Sequence, residues 1–204
     1  MIVIPRELPE GMVIVLGTDT GAHAGATVGV LHPIPFAPSA KVLADHLIGR
    51  WPWTTAELRR ESKLTGRKLT PTVKQGAMYP AIMASRACSE RLEEFASAGV
   101  STVFCRVEHS WVKDKRDGGA GARGALGPQA TAGIWLALSS PAYAYEFPDP
   151  AVWRKHFGWK GKRDKVKALA MAHARILFGS EDFTEHEAEA LAMALVPPSL
   201  EHIG

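Results

Sequence analysis

The first strong pattern along the chain is a run of apolar, largely β-branched residues, Met12, Val13, Ile14, Val15 and Leu16, with no polar alternation. Such a run predicts a central strand buried on both faces rather than one side of an open sheet. It reaches Gly17, places one carboxylate, Asp19, between Gly17 and Gly21, and is followed by a second apolar run ending near His32. The segment MVIVLGTDTGAHAGATVGVLH therefore predicts a hairpin. A carboxylate at the end of a buried strand needs a partner, and an Asx turn or a metal ion would each supply one. Gly17, Gly21 and Gly25 suit both, since glycine permits a positive φ or a close approach of the backbone.

Further along, residues 39–48 fit a third strand or the opening of a helix, and Tyr79 to Phe95 has the composition of a helix ended by Gly99. Val100 to Glu108 is the second strong strand: Val103, Phe104, Cys105 and Val107 are apolar, and the run again delivers a carboxylate, Glu108, at its end. Pro128 opens a small-residue helix, QATAGIWLAL, and Pro150 a short one, DPAVWRKHFG. In GKRDKVKALAMAHARILFG, Val166, Leu169, Ala170, His173 and Leu177 form one stripe with Lys162, Lys165 and Lys167 off it, which makes His173 a core-edge residue. The last helix begins at Thr184, which forms a capping-box pattern with Glu187, and its second half, ALAMAL, is apolar nearly all round. His186 and Glu189 are three apart and share a face, which a buried helix accommodates where that face meets a site. The N-terminal helix dipole accounts for Glu185 and Glu187.

Composition narrows these options. The chain has 204 residues, 46% hydrophobic and 22% charged, as expected of one globular domain with one sizeable core. Two cysteines, Cys88 and Cys105, are too few for a disulfide framework, and no apolar run spans a membrane, so a reducing, cytoplasmic setting is expected. The net charge of +3 is unevenly spread: residues 50–74 hold seven Lys or Arg against two acids, residues 154–167 hold seven against one, and residues 181–189 are acidic. Segregated basic stretches suit a polyanionic partner, and also a solvated face. Around one domain the pattern suggests a lead-in strap (1–11), a basic insertion with Trp51 and Trp53 (49–76), a mobile loop (110–127) and a tail (197–204). The insertion reads either as a solvated excursion or as a DNA-facing surface on which a tryptophan stacks on a base.

Taken together, the glycine-flanked Asp in GTDTGAHAGA, the Glu closing VFCRVEH, the segment WRKHFGWKGKRDKVKALAMAHARILF and the helix HEAEALAMA occur in an order that resembles the RuvC-type Holliday junction resolvases of the ribonuclease H-like superfamily. The resemblance spans roughly residues 12–195. It implies an α/β fold with a central mixed sheet flanked by helices, a homodimer, and a metal-dependent endonuclease that resolves four-way DNA junctions by paired symmetric cuts. A nuclease for forks or flaps and an inactive branched-DNA-binding relative are the alternatives. Asp19 matches the first-strand acid, Glu108 the second, and His186 with Glu189 the pair on the last helix. Glu189 departs from the usual Asp there, with Glu185 or Asp182 as substitutes. Two Mg²⁺ or Mn²⁺ ions about 3.5–4 Å apart are implied, bridged by Asp19, with Glu108 and Glu189 each holding one and His186 binding or orienting the water. DNA contacts are expected from Lys162, Arg163 and Lys165, from Arg59, Arg60, Lys63, Arg67 and Lys68, and from Lys113, Lys115 and Arg116 in the mobile loop, while Trp111 either stacks on a base or folds back on the core. The helices at 79–95 and 128–138 are candidates for the dimer interface and equally for internal core.

Overall fold

The structure is a computed structural model, which describes residues 12–20, 24–33, 46–54, 56, 60, 64, 103–108, 143–146, 148–179 and 183–196. The predicted hairpin is there: β1 (Met12–Thr20) pairs antiparallel with β2 (Ala24–Pro33) in a register that sets Asp19 opposite Ala26. β3 (Leu47–Thr54) adds to β2 antiparallel, while β4 (Val103–Val107) lies parallel to β1 and β5 (Tyr143–Glu146) parallel to β4. The sheet order is β3-β2-β1-β4-β5. Three helices follow: α1 (Pro150–His156), α2 (Arg163–Phe178) and α3 (Glu185–Leu195). Among the described residues no helix is long and apolar enough to cross a membrane.

β1 is central and buried along its length, as its unbroken apolar run requires: Ile14 and Val15 are fully enclosed. Alternation sends Val13, Val15, Gly17 and Asp19 to one face. There Val13 and Val15 join Val28, Val30 and Phe104 in a core shared with Ala170 and Ala174 of α2 and with Ala188, Ala190, Leu191 and Ala194 of α3. The small side chains of α3 let its backbone lie almost on the strand. A β-carbon on Gly17 would overlap the Ala190 carbonyl oxygen and stand 2.8 Å from the Ala194 nitrogen. Glu187 through Leu195 are all buried, so α3 lies within the core, which its nearly all-round apolar second half anticipates.

Both ends of α3 are tied. The predicted capping box is present: Glu187 N–H donates to Thr184 Oγ1 (3.2 Å) and Thr184 N–H to Glu187 Oε2 (2.7 Å). At the other end Arg106, buried on β4, donates to the carbonyls of Met193 (2.9 Å) and Val196, which would otherwise be orphaned at the helix terminus. Ahead of α2, α1 begins at Asp149, whose carboxylate accepts from Ala151 N–H (2.6 Å), with Pro150 in the first turn. Trp153 is fully buried against Val166, Ala192 and Met193. His173 packs on Phe157 (5.1 Å between ring centres) and Trp159 (5.7 Å), the core-edge position expected of it.

One sequence expectation is corrected. The third described strand is Leu47–Thr54, and it absorbs the start of the supposed insertion; residues 39–45 lie outside the described residues. Trp51 and Trp53 are buried, so neither a solvated excursion nor a base-stacking surface describes residues 49–54. The tryptophans cover glycines: a β-carbon on Gly25 would overlap the Trp53 ring, and one on Gly29 would stand 3.2 Å from that of Trp51. Pro52 is tolerated because β3 is the outermost described strand on its side. The helices expected at 79–95 and 128–138, the loop 110–127, the strap, the tail and Cys88 lie outside the described residues.

Replacing Gly17 with Ala forces α3 away from β1. The expected loss is about 1–3 kcal/mol or more, the range of an overpacked core, read as a lowered Tm. A wild-type Tm would show that the helix does not rest on that glycine.

Candidate active site

β1 and β4 run parallel, so their C-terminal ends share one edge of the sheet, and each ends on one of the predicted acids. Thr18 pairs with Val107, and Glu108 N–H donates to the Thr18 carbonyl (3.0 Å), so the ladder runs up to the residues that carry the acids. Asp19, 5% exposed, projects from the face of β1 that carries α3. The first turns of α3 arrive above it. His186 Nδ1–H donates to Asp19 Oδ2 at 2.5 Å. Glu189, one turn along the same helix face, is 3% exposed. Asp19, Glu108, His186 and Glu189 are therefore brought together from three elements.

Electrostatics shows how crowded the four are. Glu108 is pushed up to about 8 by burial, then by the charges of Asp19 and Glu189 and by a hydrogen bond to Asp19, with Arg154 opposing. Protonated Glu108 is thus the donor and Asp19 the acceptor. Burial and Asp19 also raise Glu189, against the pull of Lys167, Arg154 and Arg163. The hydrogen bond to Asp19 raises His186 despite its partial burial. Asp19 accepts from both neighbours, and among the described residues no three His, Cys, Asp or Glu side chains are already spaced around a common point. The donor chemistry nonetheless fits a hard divalent cation. Three carboxyl groups and an imidazole lie close enough to act on one another, and a cation would offset both the burial and the repulsion that now keep a proton on Glu108.

Cations frame the acids. Arg154 of α1 lies 3.8 Å from Glu189 and stacks 4.9 Å over the Trp153 ring. Arg163 and Lys167, four residues apart on α2, both act on Glu189. Lys167 is ion-paired with Glu185, which is largely exposed. Glu185 is therefore turned to solvent and Lys167, whereas Glu189 is buried beside Asp19. The other proposed substitute, Asp182, lies outside the described residues. Lys162, Arg163 and Lys165 are exposed around the start of α2, and Arg60 is exposed. Trp111, Lys113, Lys115, Arg116, Arg59, Lys63, Arg67 and Lys68 lie outside the described residues.

Arg154 and Lys167 were not among the expected site residues. The i, i+4 spacing from Arg163 to Lys167 puts the two on one helix face and would have found the second. Arg154 has a weaker signal, adjacency to the buried Trp153. Arg50 was counted only as part of a basic stretch, yet it reaches back from β3 to Glu187 (3.8 Å) and covers the Phe183 ring at 4.5 Å, bracing the start of α3.

The strand order, with β2 alone antiparallel to the rest, and helices packed on the sheet are those of the ribonuclease H-like α/β fold. Among solved structures the chain is similar to Thermus thermophilus RuvC in complex with a Holliday junction substrate, with 15% identity, a TM-score of 0.47, and 90% of this chain and 91% of that chain covered. It is also similar to a second structure of Thermus thermophilus RuvC, with 14% identity, a TM-score of 0.49, and 90% of this chain and 92% of that chain covered. No protein-family model matches the chain, and no curated protein matches it.

The shifted groups fix a pH dependence. The folded chain keeps a proton on Glu108 up to about 8, whereas the unfolded chain loses it near 4.5. Across that window the folded state binds more protons, so stability falls as pH rises. His186 acts in the same direction, its contribution complete below the ordinary histidine value and lost above its raised folded value. Without divalent cations, Tm is expected to fall between about pH 5 and 8.5, and Glu108→Gln to flatten that fall. A Tm that held steady or rose over the window would contradict the crowding described.

Proposed function

We propose that this chain is a divalent-metal-dependent endonuclease that resolves four-way DNA junctions. The observation that carries the reading is the convergence of Asp19, Glu108, His186 and Glu189 at one end of the sheet, with Arg154, Arg163 and Lys167 beside them. A site built from buried acids within a cationic frame suits a phosphodiester: the acids hold the cation and the basic groups meet the backbone charge on either side of it.

Asp19, Glu108 and Glu189 would hold Mg²⁺ or Mn²⁺, with two ions per site. When bound, such ions neutralise the nonbridging phosphate oxygens, lower the pKa of the attacking water and stabilise the leaving 3′ oxygen. The chain's own groups supply the rest. His186 is fixed through Nδ1 by Asp19, which leaves Nε2 as the atom that orients a water or accepts its proton. Arg154 offsets the charge of Glu189 on one side, and Arg163 and Lys167 do so on another. The water oxygen forms a bond to phosphorus, the bond from phosphorus to the 3′ oxygen breaks, and the 3′ oxygen takes up a proton. One chain provides one such cluster. Paired cuts in a four-way junction therefore call for a twofold homodimer, whose symmetry matches that of the open junction.

Asp19→Asn or Glu108→Gln should lower cleavage of a four-way junction by about 10³-fold or more, the scale of several kcal/mol of lost transition-state stabilisation. Junction binding should be unchanged or tighter, because negative charge has been removed near phosphate. The assay is gel-resolved cutting of a panel of four-way, forked, flapped and linear DNAs with Mg²⁺ and Mn²⁺. Wild-type turnover by either variant overturns the assignment, and cutting confined to forks or flaps redirects the substrate.

If the cations meet the backbone, each one replaced among Arg154, Lys162, Arg163, Lys165 and Lys167 should reduce the slope of log affinity against log salt by about 0.9. An unchanged slope after several replacements would mark them as a solvated face.

A further inference from the structure

Arg106 occupies an unlikely position for a cation. It lies within the buried run VFCRV, is 2% exposed, and belongs to none of the groups that would touch a cation or a phosphate. Its guanidinium donates to three partners. Nε donates to Glu146 on β5 at 2.8 Å, and Nη1 donates to the Met193 carbonyl at 2.9 Å and to that of Val196 just beyond α3. A structural need for charge does not explain this arrangement, since a buried ion pair is on average no more stabilising than well-packed apolar residues of the same volume.

What the pair does provide is a fixed distance. Arg106 and Glu108 are two residues apart on one strand, so both project to the face that carries α3, about 6.6 Å apart along the chain. Met193 is four residues beyond Glu189 and seven beyond His186, roughly 6 and 10 Å along a helix that behaves as a rod. Holding the last carbonyls of α3 against β4 therefore sets where His186 and Glu189 stop along the helix axis relative to Glu108. The capping box fixes the conformation of the first turn of α3 but attaches it to no strand. Arg50 attaches it to β3, on the far side of the hairpin from Glu108. Arg106 alone among these ties the helix to the strand that carries Glu108.

We propose that Arg106, oriented by Glu146, is a positioning residue that sets the axial register of α3 so that Glu189 and His186 meet Asp19 and Glu108 at one point. The inference rests on the function proposed above for those four residues. The test replaces the pair with apolar groups of similar size, Arg106→Met with Glu146→Leu, and uses Arg106→Lys as a second variant that keeps the charge but not the forked geometry. Three quantities are measured on the folded proteins: Tm, Mn²⁺ affinity by calorimetry, and kcat with KM on a four-way junction. The double variant is expected to keep its Tm within a few degrees and its KM, to bind Mn²⁺ about tenfold more weakly, and to lose about 10²-fold in kcat, the scale of a displacement near 1 Å. Arg106→Lys should fall between the two, and it decides the question if the double variant does not fold. Wild-type Mn²⁺ affinity and kcat in a folded variant would overturn the proposal and leave Arg106 a helix cap only. If the unaltered protein cuts no branched DNA, the functional reading fails, and Mn²⁺ affinity still decides the role of Arg106.

Discussion

The structure depends on how closely α3 approaches β1. A helix normally packs on a sheet through its side chains, but here Gly17 offers none and α3 offers Ala190 and Ala194, so backbone nearly meets backbone. That closeness brings the first turn of α3 within hydrogen-bond reach of Asp19. With bulkier residues at these positions His186 and Glu189 would stand over the sheet edge instead of against it. The same contact explains why α3 is buried all round, and why both of its ends need partners from neighbouring strands.

The arrangement carries an electrostatic cost. Three carboxyl groups and an imidazole share one buried edge, and the fold meets the repulsion in three ways: a proton held on Glu108, a histidine drawn toward its charged form by Asp19, and cations on α1 and α2 around Glu189. Apolar groups of similar volume would serve the fold at least as well as this charged cluster. Strain kept at one place and balanced by surrounding groups is the usual mark of a site rather than of a core.

Much of this was legible in the sequence, and the physical reason differs from residue to residue. Asp19 and Glu108 stood out because each ends an apolar run that has no other use for a charge, a local signal that needs no knowledge of the fold. His186 and Glu189 were found by helical spacing, and the capping box of Thr184 and Glu187 by a four-residue pattern. Trp51 and Trp53 misled because they stand beside a dense run of cations. What decides their burial is Gly25 and Gly29 on a strand some twenty-five residues earlier, a pairing that composition does not record. Arg106 passed as one polar residue in an apolar strand because its partners lie 40 and 87 residues away. Arg154 and Lys167 act through the tertiary placement of α1 and α2 on α3, and only the second leaves a trace in spacing.

On this reading four side chains from β1, β4 and α3 form one cation-binding centre. Anomalous scattering from crystals soaked in Mn²⁺ at about pH 8, where Glu108 can release its proton, tests it directly. A manganese peak is expected between the carboxylates of Asp19, Glu108 and Glu189, with the His186 ring beside it. Manganese found elsewhere on the chain with these acids bare, or no peak under conditions that support cleavage, would contradict it.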